Sequence, residues 1–401
     1  MLNYSRILHG ILLATFAIFA SRIEAQDPLP PPFQLEYVSS INDPDLDAIT
    51  SVAVSPDGRF VYASAYKSGS HAVFSRDKDS GNLKVVQTIK KNHLGGSTAL
   101  RLNSDGNLAA AASFRSRAVS LYSRNEETGM LEILDFVEPG FPANVQLQFP
   151  VDLSFSPDSK YLDVLDGSRV SVFEIVKNGD SFTIEYIDSA TDEALSNCRG
   201  IAHDPSGKYV FVASSRENTL VALERDDSGK LSLLATIQDE TDGATGLESV
   251  FGVARSADGK QVYTVSGQQG QGDDSVSVFG FDDAKFTAKQ CIVPRDHELA
   301  KVSFFNANRN AENVTDVFRG GNEIAVSADG KLVVACATIS GSLAVFTRDA
   351  QSGELDMIQL VRNKEQLGGV SGIAISPDNR HVYSANEFRD SVSVFQVTRA
   401  E

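Results

Sequence analysis

The stretch VAVSPDG at 52–58 constrains this chain more than any other feature, because it recurs. It spells a strand followed by a tight turn. Pro56 presets φ for the second turn position, Asp57 suits the third, and Gly58 can take the left-handed exit. Strand-forming residues follow in FVYASAY, 60–66. Six variants come later: RLNSDG at 101–106, SFSPDS at 154–159, AHDPSG at 202–207, ARSADG at 254–259, AVSADG at 325–330 and AISPDN at 374–379. The turn residue falls at Asp57, Asp105, Asp158, Ser206, Asp258, Asp329 and Asp378, with spacings of 48, 53, 48, 52, 71 and 49 residues.

Each period holds four short strands. In the first they are 49–55, 60–66, 71–77 and 83–89, here named a to d. The c–d connection has its own signature, RDKDSGNL at 76–83, repeated as RNEETGML, RDDSGKL and RDAQSGEL. Four strands at this period, with no long helical periodicity, specify an all-β fold: a seven-bladed β-propeller. The seventh repeat has strands a, b and c at 370–376, 381–385 and 391–397, but no d. The segment FQLEYVSSI at 33–41 is strand-like and lacks a blade. It is expected to supply the missing strand and close the last blade, which removes two open sheet edges.

Residues 1–25 read as a signal peptide: Arg6, then the apolar run 11–20, then Ile23-Glu24-Ala25 before the cleavage point. The alternative is an uncleaved anchor, although the run is short for a membrane span. Residues 26–32 form a Pro-rich leader, and 33–401 form the propeller, with an insertion at 293–321 between blades 5 and 6. The insertion carries Phe304, Phe305 and the sequon Asn313-Val314-Thr315. Cleavage makes the protein secreted or periplasmic, with no membrane span left and a monomeric ring. The formal charge of −17 becomes one unit more negative when Arg6, Arg22 and Glu24 are lost. Such a chain repels phosphate backbones, so nucleic acid is excluded as a partner. Cys198, Cys291 and Cys336 are too few and too scattered for a disulfide scaffold or a zinc site.

The b–c loops and d–a crossovers share one face, around the mouth of the central channel. Seven places before each turn residue, strand a presents Thr50, Thr98, Val151, Arg199, Phe251, Asn322 and Ser371. One place on are Ser51, Ala99, Asp152, Gly200, Gly252, Glu323 and Gly372. Most are small, as a crowded inner ring requires. Arg199, Asp152, Asn322 and Glu323 are the exceptions, and inner-strand charges are costly unless paired. The b–c loops add Lys67, Arg115, Arg117, Asp166, Arg216, Glu217, Glu387 and Arg389. Cations here would draw a small anionic ligand, and the carboxylates would serve as a general base. No metal cofactor is required; calcium would find oxygen donors in Asp152, Asn322 and Glu323, and Asp273 and Asp274 are a weaker calcium candidate. His203 and His381 are expected beside the turns of the opposite face, His71 and His93 near loops, and His297 is the one histidine retained as a candidate. No Ser-His-Asp constellation is visible in the sequence.

SPDGRFVYASAYKSGSHAVFSRDKDSGNLKVV at 55–86 and ISPDNRHVYSANEFRDSVSVF at 375–395 resemble the seven-bladed lactonase-like propellers. These include 6-phosphogluconolactonases, carboxymuconate cyclases and exported YVTN-repeat proteins. The resemblance implies a hydrolase acting on a small anionic sugar lactone. Arg199, Glu323 and Asp152 would be catalytic, with Arg216, Asn322, Arg389 and Glu387 binding substrate. Arg199 matches the Arg of the family's Pro-Arg-His-like run, but Gly200 follows it. Asn386-Glu387 matches an Asn-Glu pattern after a strand b. The alternative is a non-enzymatic scaffold that holds a protein or carbohydrate partner on the loop face.

Overall fold

The computed structural model describes residues 32–141, 145–267, 270, 272–300 and 317–399. The signal-peptide and sequon expectations, and Phe304 and Phe305, lie outside them. Among the described residues 28 strands form seven four-stranded antiparallel sheets. In the first blade these are β2 (Ile49–Val54), β3 (Phe60–Ala65), β4 (Ser70–Arg76) and β5 (Leu83–Lys90). The protein is a seven-bladed β-propeller. No described helix is long and apolar enough to cross a membrane.

The turn motif works as its residues dictate. The Ser55 hydroxyl donates to Asp57 Oδ1 at 2.6 Å and accepts from the Phe60 N–H at 3.0 Å, while Arg59 N–H donates to Asp57 Oδ1. Gly58 closes the turn at φ +67°. The third strand of each blade places one large apolar side chain in the core: Phe74, Tyr122, Phe173, Leu223, Phe279, Phe346 and Phe395 are each at most 1% exposed. Each such burial contributes roughly 1.5–3 kcal/mol.

The last blade closes as expected. β1 (Phe33–Asn42) pairs antiparallel with β28 (Ser391–Arg399), from Phe33 opposite Arg399 to Asn42 opposite Ser391. Gln359 of blade 6 grips Leu35 with both ends of its amide, at 2.7 and 3.1 Å. Gln87 grips Leu131 and Gln290 grips Leu355 in the same way, so β1 is held like the outer strands of blades 2 and 6.

Neighbouring blades meet through one repeated pair of positions, the third residue of strand b and the last part of strand c in the next blade. Four junctions are polar. Arg124 donates to Tyr62 Oη at 2.6 Å and to Asp57, Arg348 meets Tyr263 and Asp258, Arg76 meets Tyr383 and Asp378, and Arg225 meets Asp163. The other three are apolar: Ala110 with Ile175, Phe211 with Phe281 and Val334 with Val397. A charge appears at this junction only where its partner does, as burial of an ion demands.

The inner strands β2, β6 (Ser97–Leu102), β10 (Pro150–Phe155), β14 (Cys198–His203), β18 (Val250–Arg255), β22 (Gly321–Val326) and β26 (Val370–Ile375) surround the axis. Each breaks register at the place seven residues before its turn. A bulge re-aims side chains, and here it brings two successive residues to the channel. The ring is tight: a Cβ on Gly200 would lie 2.6 Å from Phe251 O.

The insertion is anchored at its ends. Ala300, Val317 and Phe318 are buried against the blade 5 and 6 core. Asp274 accepts from Gly320 N–H at 2.9 Å and faces Arg295 at 3.6 Å. Asp273 accepts from Glu248 N–H. Both carboxylates of that candidate calcium pair therefore hold loops together. The three cysteines are unbonded, and Cys336 is fully buried.

Candidate functional site

The channel is a cavity of about 720 Å³. Its lining includes Arg199, Asp152, Glu323, Asn322 and Glu387 of the expected residues. Arg216 and Arg389 are exposed on the loop face and do not line it; Arg389 donates to Lys364 O at 2.9 Å. Asp166 is buried and caps the backbone of Gln148 while pairing with Arg169, a structural duty. Asn386 is also buried, bonded to Ser393 and Ser384, whereas its neighbour Glu387 reaches the cavity. His297 lies outside the lining.

Asp152 and Glu323 converge on a residue that the sequence reading passed over. Arg101 of blade 2 donates to Asp152 Oδ1 and to Glu323 Oε1, each at 3.1 Å, and to Ser51 Oγ at 2.8 Å. Since Glu323 belongs to blade 6, this side chain is a bar across the channel. The second Glu323 oxygen accepts from Ile373 N–H at 3.1 Å, and Asp152 accepts from Leu153 and Ile201. Burial pushes the Glu323 carboxyl up to about 7, with Arg101 opposing and Asp152 adding to the rise. Asp152 is also raised, again by burial against the pull of Arg101. With both carboxylates turned to a guanidinium, they do not form a calcium shell. Among the described residues no three His, Cys, Asp or Glu side chains are grouped to hold a metal.

Arg199 has the opposite character. It is half-buried at the loop-face end, it forms no ion pair among the described residues, and its Nε is buried without a hydrogen-bond partner. Its guanidinium lies 5.6 Å from the centre of the Phe251 ring. Burial works against its charge, yet an Arg stays protonated in a protein. The result is a standing cation beside the mouth. Tyr66 and Phe114 line the same cavity, Phe114 stacks on Phe149 at 5.5 Å, and Arg115 covers Tyr66 at 4.5 Å. Glu387, raised by burial and opposed by Lys67, faces the cavity from blade 7.

One expectation is corrected outright. His203 lines the channel, its Nδ1 is 2.9 Å from Ser154 Oγ, and its Nε2 is 2.7 Å from Asp163 Oδ2. A Ser-His-Asp chain exists after all, assembled from two blades and so invisible to sequence spacing. Arg101 and Ser154 share the place four residues before the turn, where the other repeats have Ala53, Ala202, Ala254, Ala325 and Ala374. Two polar residues among five alanines were the available signal.

Fold and cavity together define a propeller whose channel carries a free cation, a bridged carboxylate pair and an aromatic mouth. Residues 28–146 and 152–319 match the family model described as lactonase, 7-bladed β-propeller. The chain belongs to that family. A search of curated proteins by sequence found no match. Among solved structures it is similar to a putative 6-phosphogluconolactonase from Bacteroides uniformis, at 17% identity and TM-score 0.65, covering 87% of this chain and 92% of the other. It is also similar to the Pseudomonas aeruginosa periplasmic gluconolactonase, at 19% identity and TM-score 0.59, covering 80% and 86%. The β-propeller domain of Cps50 (Swd1) from Myceliophteria thermophila scores 0.64 at 12% identity, covering 91% and 100%. At these identities the likeness is one of fold.

Proposed function

We propose that the protein is an exported lactonase that opens a small anionic sugar lactone in the loop-face half of its channel, and that it acts as a monomer. One observation carries the reading: an unpaired, half-buried Arg199 shares a cavity with a carboxyl held near neutrality. A desolvated cation without a partner is costly, and a carboxylate or phosphate on the substrate would relieve that cost. Arg199 would anchor this group and polarise the ring carbonyl, with Asn322 and Glu387 contacting the sugar. Glu323 would take a proton from the attacking water, since a base is most effective when its pKa lies near the working pH. Arg101 would hold Glu323 and Asp152 in place. The family and the lactonases of similar fold support this reading.

The test is lactone opening by the purified protein on plain, carboxylated and phosphorylated sugar lactones, with and without a chelator. Turnover above spontaneous opening that prefers the anionic lactones and vanishes in Arg199→Ala is expected. Undiminished turnover by a folded R199A would exclude the assignment. A second reading, a non-enzymatic scaffold, is favoured by the Arg101 bar, which engages one oxygen of each carboxylate. Tight binding of the anionic lactones without turnover would select it.

A further inference from the structure

The Ser154, His203 and Asp163 chain lies in the same channel but on residues nearer the turn face than Arg199, and the lactonase reading does not use it. Its internal logic comes from comparing repeats. At three of the four polar blade junctions the strand-b residue is Tyr62, Tyr263 or Tyr383. Each accepts from the Arg of the next blade and donates to a glycine carbonyl, Gly129, Gly353 or Gly81. The fourth junction has Asp163. Arg225 still reaches it, and takes over the glycine contact itself by donating to Gly229 O at 2.8 Å. The Arg225 contact is kept, although Asp163 Oδ1 and Arg225 Nε are buried without a hydrogen-bond partner among the described residues. What the carboxylate adds is His203.

The donor and acceptor inventory fixes the proton positions. A carboxylate oxygen already facing Arg225 only accepts, so His203 Nε2 carries the hydrogen and donates it to Asp163 Oδ2. In the neutral imidazole Nδ1 is then the bare nitrogen, and it accepts from the Ser154 hydroxyl at 2.9 Å. The other route for that hydroxyl, Phe155 O, is 3.5 Å away. Asp163 is fully buried and His203 nearly so, while Ser154 is partly exposed to the cavity. A hydroxyl facing open space, an imidazole placed to take its proton and a carboxylate orienting the imidazole are the parts of an activated nucleophile. Phe155, Pro157 and Val326 give this end of the lining apolar surface, and Arg255 gives it a cation held by Ser256 O at 2.7 Å.

We propose that Ser154 is a nucleophile, with His203 as its base and Asp163 as the orienting group, in a second site that takes short-chain acyl esters. Ser154 Oγ bonds to the ester carbonyl carbon as its proton passes to His203 Nδ1. The carbonyl to alkoxy C–O bond then breaks, and the departing alkoxide takes that proton, giving acyl-Ser154 and free alcohol. Water repeats the sequence, with Nδ1 again taking and returning the proton, and releases the acid. No further reactant is needed.

The full-length protein is treated with p-nitrophenyl acetate and, separately, with a fluorophosphonate ester, and adducts are located by peptide mass spectrometry. Both reagents are expected to modify Ser154. Ser154→Ala should lose the adduct, and His203→Gln should slow its formation by about 100-fold or more. The adduct is read by its mass on Ser154 and needs no lactone turnover, so failure of the lactonase reading leaves this result untouched. Absence of a Ser154 adduct on folded wild-type protein, or equal rates for wild type and H203Q, would overturn the proposal.

Discussion

Replacing Glu323 by glutamine removes a charge while keeping a shape, and its effect on stability follows from the bar across the channel. The carboxyl titrates near 7 rather than at its ordinary 4.5, because burial outweighs Arg101. A carboxyl whose folded pKa is raised binds its proton more tightly in the native state. Between about pH 4.5 and 7 the native chain therefore holds more of that proton than the unfolded one, and stability falls as pH rises through this window. The full step corresponds to roughly 3 kcal/mol. The side chain keeps 24% of its surface exposed, so solvent screening reduces this to about 1–2 kcal/mol. Arg101 retains Asp152 in the variant. Urea unfolding of wild type and Glu323→Gln from pH 4 to 8.5 measures the difference directly. The two should coincide near pH 4, and the variant should be the more stable by about 1–2 kcal/mol at pH 8.5. A wild-type advantage that grows with pH would show that the ion pair with Arg101 outweighs burial, and the reasoning would fail. In the lactone assay the same variant should lose turnover, while the wild-type rate should rise with pH through about 7.

Three further outcomes rest on other parts of the molecule. R199A should abolish opening of anionic lactones without moving the melting temperature by more than a few degrees, which a thermal melt beside the rate assay will check. Removing residues 26–41 takes away nearly all of β1 and leaves β28 as an open edge, so the melt should fall sharply; an unchanged melt would contradict closure by this strand. Arg124→Ile should cost about 3 kcal/mol, because it removes a fully buried partner of Tyr62 and Asp57. Adding Tyr62→Ala copies the apolar Ala110 and Ile175 junction, and in a double-mutant cycle it should cost less than the two changes summed; strict additivity would argue against the junction as a unit.

The fold was legible because its signal is redundant. Seven copies of one turn set the period, and β1 was recognisable as an unpaired strand facing an incomplete repeat. The site was legible only in part. Counting seven and six residues back from each turn finds Arg199, Asp152 and Glu323, since the bulge brings both places to the axis. It misses Arg101 and Ser154, two places further along a strand whose alternate residues return to the same side. Whether Arg199 or Arg101 held the carboxylates depends on distances across the ring, which no one-dimensional spacing encodes. The same is true of the blade junctions. Asp163 looks like an aberrant tyrosine in its own repeat, and only the next blade supplies the arginine and histidine that explain it. Arg216 and Arg389 read as site residues because loops were counted by face, and their distance from the axis decides otherwise.

The pairing of β1 with β28 also sets an order of events during synthesis. Phe33 and Arg399, which lie opposite each other, bracket nearly the whole ring. At about 5–20 residues per second, roughly 20–70 seconds separate the appearance of one from the other on the ribosome. Throughout that interval the first-made strand has no partner, and the growing blades curve toward a gap they cannot shut. An interrupted product stopping before β28 would expose an edge at each end of the ring. The ring can thus close only after β28 is made, and a chain cut short before it is marked for aggregation or proteolysis by its own geometry.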